Sequence, residues 1–119
     1  MKQYKSGLRG EQQAEGYLCS LGMQVIDRRY RGADGEIDLI MRDENYIVFV
    51  EVKARPGSRI GAGVQAVTTD KQRRMFHAAT AFLVERQMLD CPVRFDVVEL
   101  TQDGILHIPN AFLVQDTYY

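Results

Sequence analysis

"GEIDLIMRDENYIVFVEVKAR", residues 35–55, decides how the rest of the chain is read. Two short runs rich in Ile, Val, Leu and Phe flank a polar break, the pattern of two antiparallel strands joined by a hairpin. The strands are predicted over residues 36–41 and 46–53, with the turn at residues 43–46. Side chains alternate along a strand. Val48, Val50 and Val52 therefore share one face, and Phe49, Glu51 and Lys53 the other. In the preceding strand Ile37, Leu39 and Met41 fall on one face and Glu36, Asp38 and Ile40 on the other. A turn at 43–46 sets Asp38 opposite Glu51 and Glu36 opposite Lys53, with Cβ atoms about 4.5–5.5 Å apart.

Working outward, residues 8–21 carry Leu8, Ala14, Tyr17, Leu18 and Leu21 at helical spacing, and Gly22 follows where helices end in a left-handed residue. "MQVIDRRYR" is a first strand, closed by the turn-like "GADG". After Arg55, "PGSRIGAGVQA" has no period and reads as a mobile loop over residues 56–66, placed to close over a phosphate backbone through Arg59. "TTD" caps a second helix, about residues 69–88, with Met75, Phe76, Ala79, Phe82 and Leu83 as its stripe. "VRFDVVEL" is a fourth strand, and Asp103-Gly104 turns the chain into a short fifth, "ILHI". The order α-β-β-β-α-β-β predicts a three-layer α/β/α fold. Its mixed five-stranded sheet has three meander strands, then a crossover that makes the fourth parallel to a neighbour.

The 119 residues form one domain, large enough for a core without disulfides or a structural metal. The net charge of −1 gives no global basic field, though a local basic face is compatible with it. Cys19 and Cys91 lack C-x-x-C spacing and are read as buried or half-buried thiols in a reducing compartment. With no signal core and no apolar run of about 18 residues, the expected location is cytoplasmic, with no membrane partner.

The acids of the hairpin ask for a cause. Opposed like charges destabilise a sheet, and buried unpaired carboxylates are costly. A divalent cation, Mg²⁺ or Mn²⁺, supplies the missing attraction for hard carboxylate oxygens, and Lys53 beside it could orient a water or stabilise charge on a phosphate. A surface hairpin with cross-strand ion pairs, such as Glu36 with Lys53, is the plainer alternative. Against it stand the apolar opposite face and the helices expected over both faces. Glu11 falls in line with Ala14 and Leu18, and Gln72 with Met75, Phe76 and Ala79, so a polar residue faces inward from each helix. A stripe-edge glutamate favoured by the helix dipole would also explain Glu11.

Asp38 followed by Glu51-x-Lys53 on the next strand resembles the PD-(D/E)xK nuclease superfamily. Together with "GEIDLI", "VFVEVKAR", the segment from Gly10 to Glu15, Lys71-Gln72 and "RFDVV", the chain resembles the YraN-like family of small bacterial proteins over nearly its whole length. The resemblance implies a restriction-endonuclease-like fold and metal-dependent cleavage of nucleic acid. It implies Asp38 and Glu51 as metal-binding acids, Glu11 as an additional N-terminal acid, Lys53 as the motif lysine and Gln72 as a helix glutamine beside the site. Ile37 replaces the motif proline, and Phe76 stands where a RecB-like signature has tyrosine.

Arg28, Arg29, Arg31, Arg55, Arg59, Lys71, Arg73 and Arg74 flank the site in sequence as candidate phosphate contacts, with Tyr30 able to stack a base. Ordinary solvated charge explains each equally well. His77 and His107 have no second ligand at metal spacing and read as surface or packing residues. The expected function is a Mg²⁺- or Mn²⁺-dependent nuclease acting on DNA, more than RNA, and on branched or structured DNA. Cutting a junction would call for a homodimer, for which the sequence shows no interface. The alternative is a nucleic-acid-binding module of a repair or uptake assembly that keeps the fold and does not cleave.

Overall fold

The computed structural model describes residues 2–32, 34–54 and 67–112, with side chains from residue 9 onward. Helix α1 spans Lys2–Ser20, and strands β1 (Gln24–Arg31), β2 (Glu36–Asp43) and β3 (Tyr46–Ala54) follow. Helix α2 (Thr69–Glu85) leads into β4 (Val93–Thr101) and β5 (Gly104–Ile108). The expected element order is the observed one. The five strands lie in the order β1-β2-β3-β4-β5. Only β3 and β4 run parallel; the other neighbours are antiparallel.

The two helices cover opposite faces, because the strands are apolar on both. Ile37, Ile40, Ile47, Phe49 and Phe95 pack beneath Met75, Ala79 and Phe82 of α2. Leu39, Met41, Val48, Val50 and Val98 pack beneath Ala14 and Leu18 of α1. Phe49 is the aromatic centre of the first layer, stacked on Phe95 at 5.5 Å and met edge-on by Phe82 at 6.0 Å. The placement of Ile37 corrects the alternation expected from sequence. It shares a face with Ile40 and not with Leu39 and Met41, so the pleat of β2 breaks at Asp38.

Both helices stop in the same way. Gly22, at φ 97°, lets Met23 N–H reach Leu18 C=O at 3.2 Å, and Gln87, at φ 57°, lets Met88 N–H reach Leu83 C=O at 2.8 Å. The α2 stop falls at Glu85, three residues before the expected end, because a glutamine takes the left-handed position usually marked by glycine. Thr68 caps the start, its hydroxyl accepting from Lys71 N–H at 3.2 Å. In the last hairpin Thr101 pairs with Gly104, so Gln102 and Asp103 make the turn. Gly104 follows at φ 125°, one place later than an Asp-Gly centre requires. Leu21 lies beyond α1 and is 53% exposed, outside the stripe expected to bury it. Cys19 is exposed, and only Cys91 is half-buried as read from sequence.

Glycines set how closely the helices approach the sheet. A Cβ on Gly10 would stand 2.8 Å from Ala54 Cβ, where α1 crosses the end of β3. One on Gly35 would stand 2.6 Å from Arg74 O, and one on Gly32 2.7 Å from Ala78 Cα, so the β1–β2 loop lies directly on the α2 backbone. Gly16, inside α1, has nothing within 4 Å of its Cβ position. In urea titrations Gly16→Ala is expected to stabilise the protein by about 0.5–1 kcal/mol. Gly35→Ala should cost about 1–3 kcal/mol, because backbone must move. Equal effects at the two positions would show that the loop does not rest on α2.

Candidate active site

The site begins where the sheet stops being regular. The β2–β3 ladder ends at Leu39 with Val50. One residue further, the Asp38 carboxylate replaces a strand partner, accepting from Val52 N–H at 2.8 Å. On the other side, Asp38 lies opposite Arg29, between the pairs Arg28–Leu39 and Tyr30–Ile37. Arg29 has φ 50°, a left-handed conformation uncommon for a side-chain-bearing residue. That distortion turns two consecutive side chains to the same helix. Arg28 binds Glu15 through two bonds at 2.7 and 2.9 Å, and Arg29 binds Glu11 at 2.8 Å. The expected Glu36–Lys53 rung is absent, since the strands have separated before it. Glu36 is exposed and pairs with Arg31 at 3.3 Å.

Glu51 is buried and lies on the Phe49 face, beneath the first turn of α2. Its Oε2 receives Lys71 Nζ at 2.8 Å and Lys53 Nζ at 3.2 Å. The Asp38 carboxyl meets Glu51 within hydrogen-bonding range. Burial, the Glu51 charge and the more remote Glu11 charge push Asp38 up to about 8, opposed by the Val52 N–H. At neutral pH the pair therefore retains a proton unless a cation takes its place. Burial pulls the Lys71 ammonium down, but its bond to Glu51 and the charges of Glu51 and Asp38 together hold it above the usual lysine value.

Among the described residues no group of three Asp, Glu, His or Cys side chains converges tightly enough to hold a metal ion. The three-acid shell expected from sequence is not assembled by these side chains as they stand. Asp38 and Glu51 face each other, while Glu11 is engaged by Arg29. Gln72 donates to Val67 C=O at 3.1 Å, tying down the start of its own helix. Of the candidate phosphate contacts, Arg28, Arg29 and Arg31 hold acids, and Lys71 sits inside the site. Arg55 and Arg59, with the loop at 56–66 read as mobile, lie outside the described residues.

Sequence reasoning missed two features. The sequence makes Lys71 a flanking cation, but the first turn of α2 lies over β3, and its ammonium is closer to Glu51 than that of Lys53. Glu99 is fully buried on β4 as the partner of Lys53 in the parallel register, on the Phe95 and Val97 side of the strand. The alternation of "RFDVVEL" carries that signal once β4 is placed beside β3. The other buried acid of β4, Asp96, faces the α1 layer and is fully satisfied. It accepts from Arg94 at 2.9 and 3.1 Å, pairs with His107 at 2.8 Å and accepts from Asn110 N–H at 2.9 Å. Burial raises its carboxyl, but these bonds together hold it below the ordinary value.

The two acids predict opposite pH responses. Asp38 is raised in the folded state, so its contribution is fully present below about pH 4 and is lost as pH rises towards about 8. In EDTA, Asp38→Asn should leave the melting midpoint little changed at pH 5 and raise it by several degrees at pH 9. Asp96 is depressed, so its contribution is present above about pH 4 and is lost on acidification below that. Asp96→Asn should lower the midpoint at neutral pH. Melts from pH 3 to 9 on both variants check this, and parallel wild-type and Asp38→Asn profiles would refute the buried pair.

The profile of "Uncharacterised protein family UPF0102" matches residues 10–100. A UPF0102 protein of Geobacter sulfurreducens is 44% identical over 111 residues, covering 89% of this chain and 87% of its own length. One from Geobacter metallireducens is 43% identical over 110 residues, covering 89% and 90%. Another, from Clostridioides difficile, is 36% identical over 114 residues, covering 94% of this chain and all of its own length. The chain belongs to the UPF0102 family, the YraN-like family its motifs resemble.

Proposed function

We propose that this UPF0102 protein is a metal-dependent nuclease that hydrolyses phosphodiester bonds in DNA, working in the cytoplasm on branched or otherwise structured strands. The observation that carries the reading is the carboxyl pair of Asp38 and Glu51, brought together where the sheet ladder opens, with two lysines on one oxygen of Glu51. A structural ion pair does not require two carboxyl groups in contact. Asp38 and Glu51-x-Lys53 in this strand order also resemble the PD-(D/E)xK arrangement.

The donor set fits a hard divalent cation, which typically takes one or two carboxylates plus water and substrate phosphate. Asp38 and Glu51 would hold it, and the proton that burial keeps on Asp38 would leave. When bound, Mg²⁺ or Mn²⁺ supplies positive charge that offsets the carboxylate repulsion and polarises a phosphoryl oxygen. Lys53, two residues from Glu51 on the same face of β3, is assigned to orienting the attacking water and stabilising charge on the phosphate. Lys71 stays protonated beside Glu51, so its role is electrostatic and not that of a base. Glu11 acts on the site through its charge and through Arg29, which it holds opposite Asp38. Cutting both strands at a branch needs two such centres, so paired copies are part of the proposal for that substrate.

Cleavage of branched, flapped, single-stranded and duplex DNA, and of RNA, should be compared in Mg²⁺, Mn²⁺ and EDTA, alongside Mn²⁺ binding. The expected result is metal-dependent cutting of DNA that EDTA abolishes. Asp38→Asn should lose metal affinity and cleavage while remaining folded. Lys53→Ala should keep metal affinity and lower the rate by about 10²–10³-fold, as for loss of one transition-state donor. Added Mn²⁺ should raise the wild-type melting midpoint and not that of Asp38→Asn. A wild type that cuts nothing in any metal, with nucleic-acid affinity indifferent to both substitutions, would leave the non-cleaving module as the reading.

A further inference from the structure

A cavity of about 470 Å³ lies between the β1–β2 loop and the start of α2, lined by Arg31, Glu36, Lys71, Arg74 and Met75, with Asp34 and the loop glycines as its wall. Its volume falls in the range of small-ligand sites, about 300–1,000 Å³, which is room for a nucleotide and too little for a duplex. The wall is anchored. Gly32 and Gly35 rest on the α2 backbone, and Asp34 pairs with His77 at 2.9 Å. Three cations and two acids face the cavity, and Asp34 is already committed to His77.

Two of the cations are held loosely. Arg31 reaches Glu36 at 3.3 Å with its side chain 82% exposed, and Arg74 reaches Asp70 at 3.1 Å with its side chain 54% exposed. Exposed pairs of this kind contribute about 0–1 kcal/mol, so an incoming anion can displace them at little cost. Lys71 connects the cavity to the carboxyl pair, since it lines the one and sits 2.8 Å from Glu51 in the other.

We propose that this cavity is a subsite for one phosphate-bearing nucleotide of a single nucleic-acid strand that runs on to the Asp38–Glu51 centre. Arg31 and Arg74 grip the phosphate, and Lys71 stands between the subsite and the centre. Placing the subsite beside the reacting bond rests on the nuclease reading; the binding itself does not. A single strand is the substrate form it selects, so an unpaired arm or end is favoured over continuous duplex.

The test is fluorescence anisotropy with short labelled oligothymidylate, oligouridylate and duplex probes in EDTA at low salt, with inorganic phosphate as competitor. Arg31→Gln and Arg74→Gln should each weaken single-strand binding by about tenfold, the worth of one charge-assisted contact. Arg42→Gln removes an exposed arginine bonded to Glu44 C=O, away from the cavity, and should change it by less than about twofold. Phosphate should compete, and duplex should bind more weakly than either single strand. Tighter binding of oligothymidylate than of oligouridylate, or the reverse, identifies which strand the subsite takes. Unchanged binding by both arginine variants, an equal loss in Arg42→Gln, or duplex binding as tight as single strand would each overturn the subsite. Because binding is read without metal, a protein that cuts DNA while these variants bind normally loses only the subsite. One that binds through them and never cuts loses only the nuclease reading.

Discussion

One hydrogen bond organises the functional half of the molecule: the Asp38 carboxylate accepts the Val52 amide that a regular ladder would give to a backbone carbonyl. A carboxylate can take that place only if the strands separate, and they do so immediately beyond Leu39 and Val50. The separation leaves Glu36 in solvent, moves Ile37 to the α2 layer and brings Asp38 to Glu51. Arg29, in its left-handed conformation opposite Asp38, is the matching distortion on the outer strand. Strain of this type costs of order 1–3 kcal/mol and persists where the surroundings enforce it. Here the ion pair to Glu11 and the packing of Tyr30 against Phe82 hold the two sides of the distortion.

The two acids Asp38 and Asp96 show how environment moves two carboxyls of one sheet in opposite directions. Both lie within one sheet, and among the described residues no buried polar side-chain atom is left without a partner. Asp96 is surrounded by donors, so its charge is stabilised and its carboxyl depressed; it ties Arg94, His107 and the chain beyond β5 together. Asp38 is withdrawn from solvent with one amide and a neighbouring carboxyl, so burial and the Glu51 charge oppose its ionisation and raise its carboxyl. A perturbation of that sign is one that stability alone does not favour.

The strands, both helices, the hairpins and the parallel crossover were legible because each rests on a local rule: alternation, stripe spacing, or a turn residue of fixed conformation. The same rules placed Glu51 and Lys53 on one face, as found. What escaped reading depends on departures from regularity or on contacts between elements. Alternation cannot anticipate the pleat break that moved Ile37, and nothing in "RQMLD" announces that Gln87 will take the left-handed stop. Gln72 has the spacing of an inward residue, yet its amide is taken by Val67, five residues back. Arg28 and Arg29 read as phosphate contacts only while α1 is out of view. Once the helix lies across β1, Glu15 and Glu11 are their nearest partners.

That pairing bears on how a chain of net charge −1 could hold a polyanion. Arg28 and Arg29 on β1 are held by Glu15 and Glu11 within the fold. Among the described residues, attraction to nucleic acid is better supplied by cations that can change partners at the point of contact. Such cations are concentrated around the cavity beside α2, where Arg31 and Arg74 have exposed, replaceable partners. Lys71 differs from them: its partner, Glu51, is buried, and it is released only if another positive charge takes over that carboxylate. A divalent cation on Asp38 and Glu51 would do this. Under the proposed function, cation loading and release of the lysine toward a phosphate would thereby be coupled through a single oxygen, Glu51 Oε2, which both lysines share.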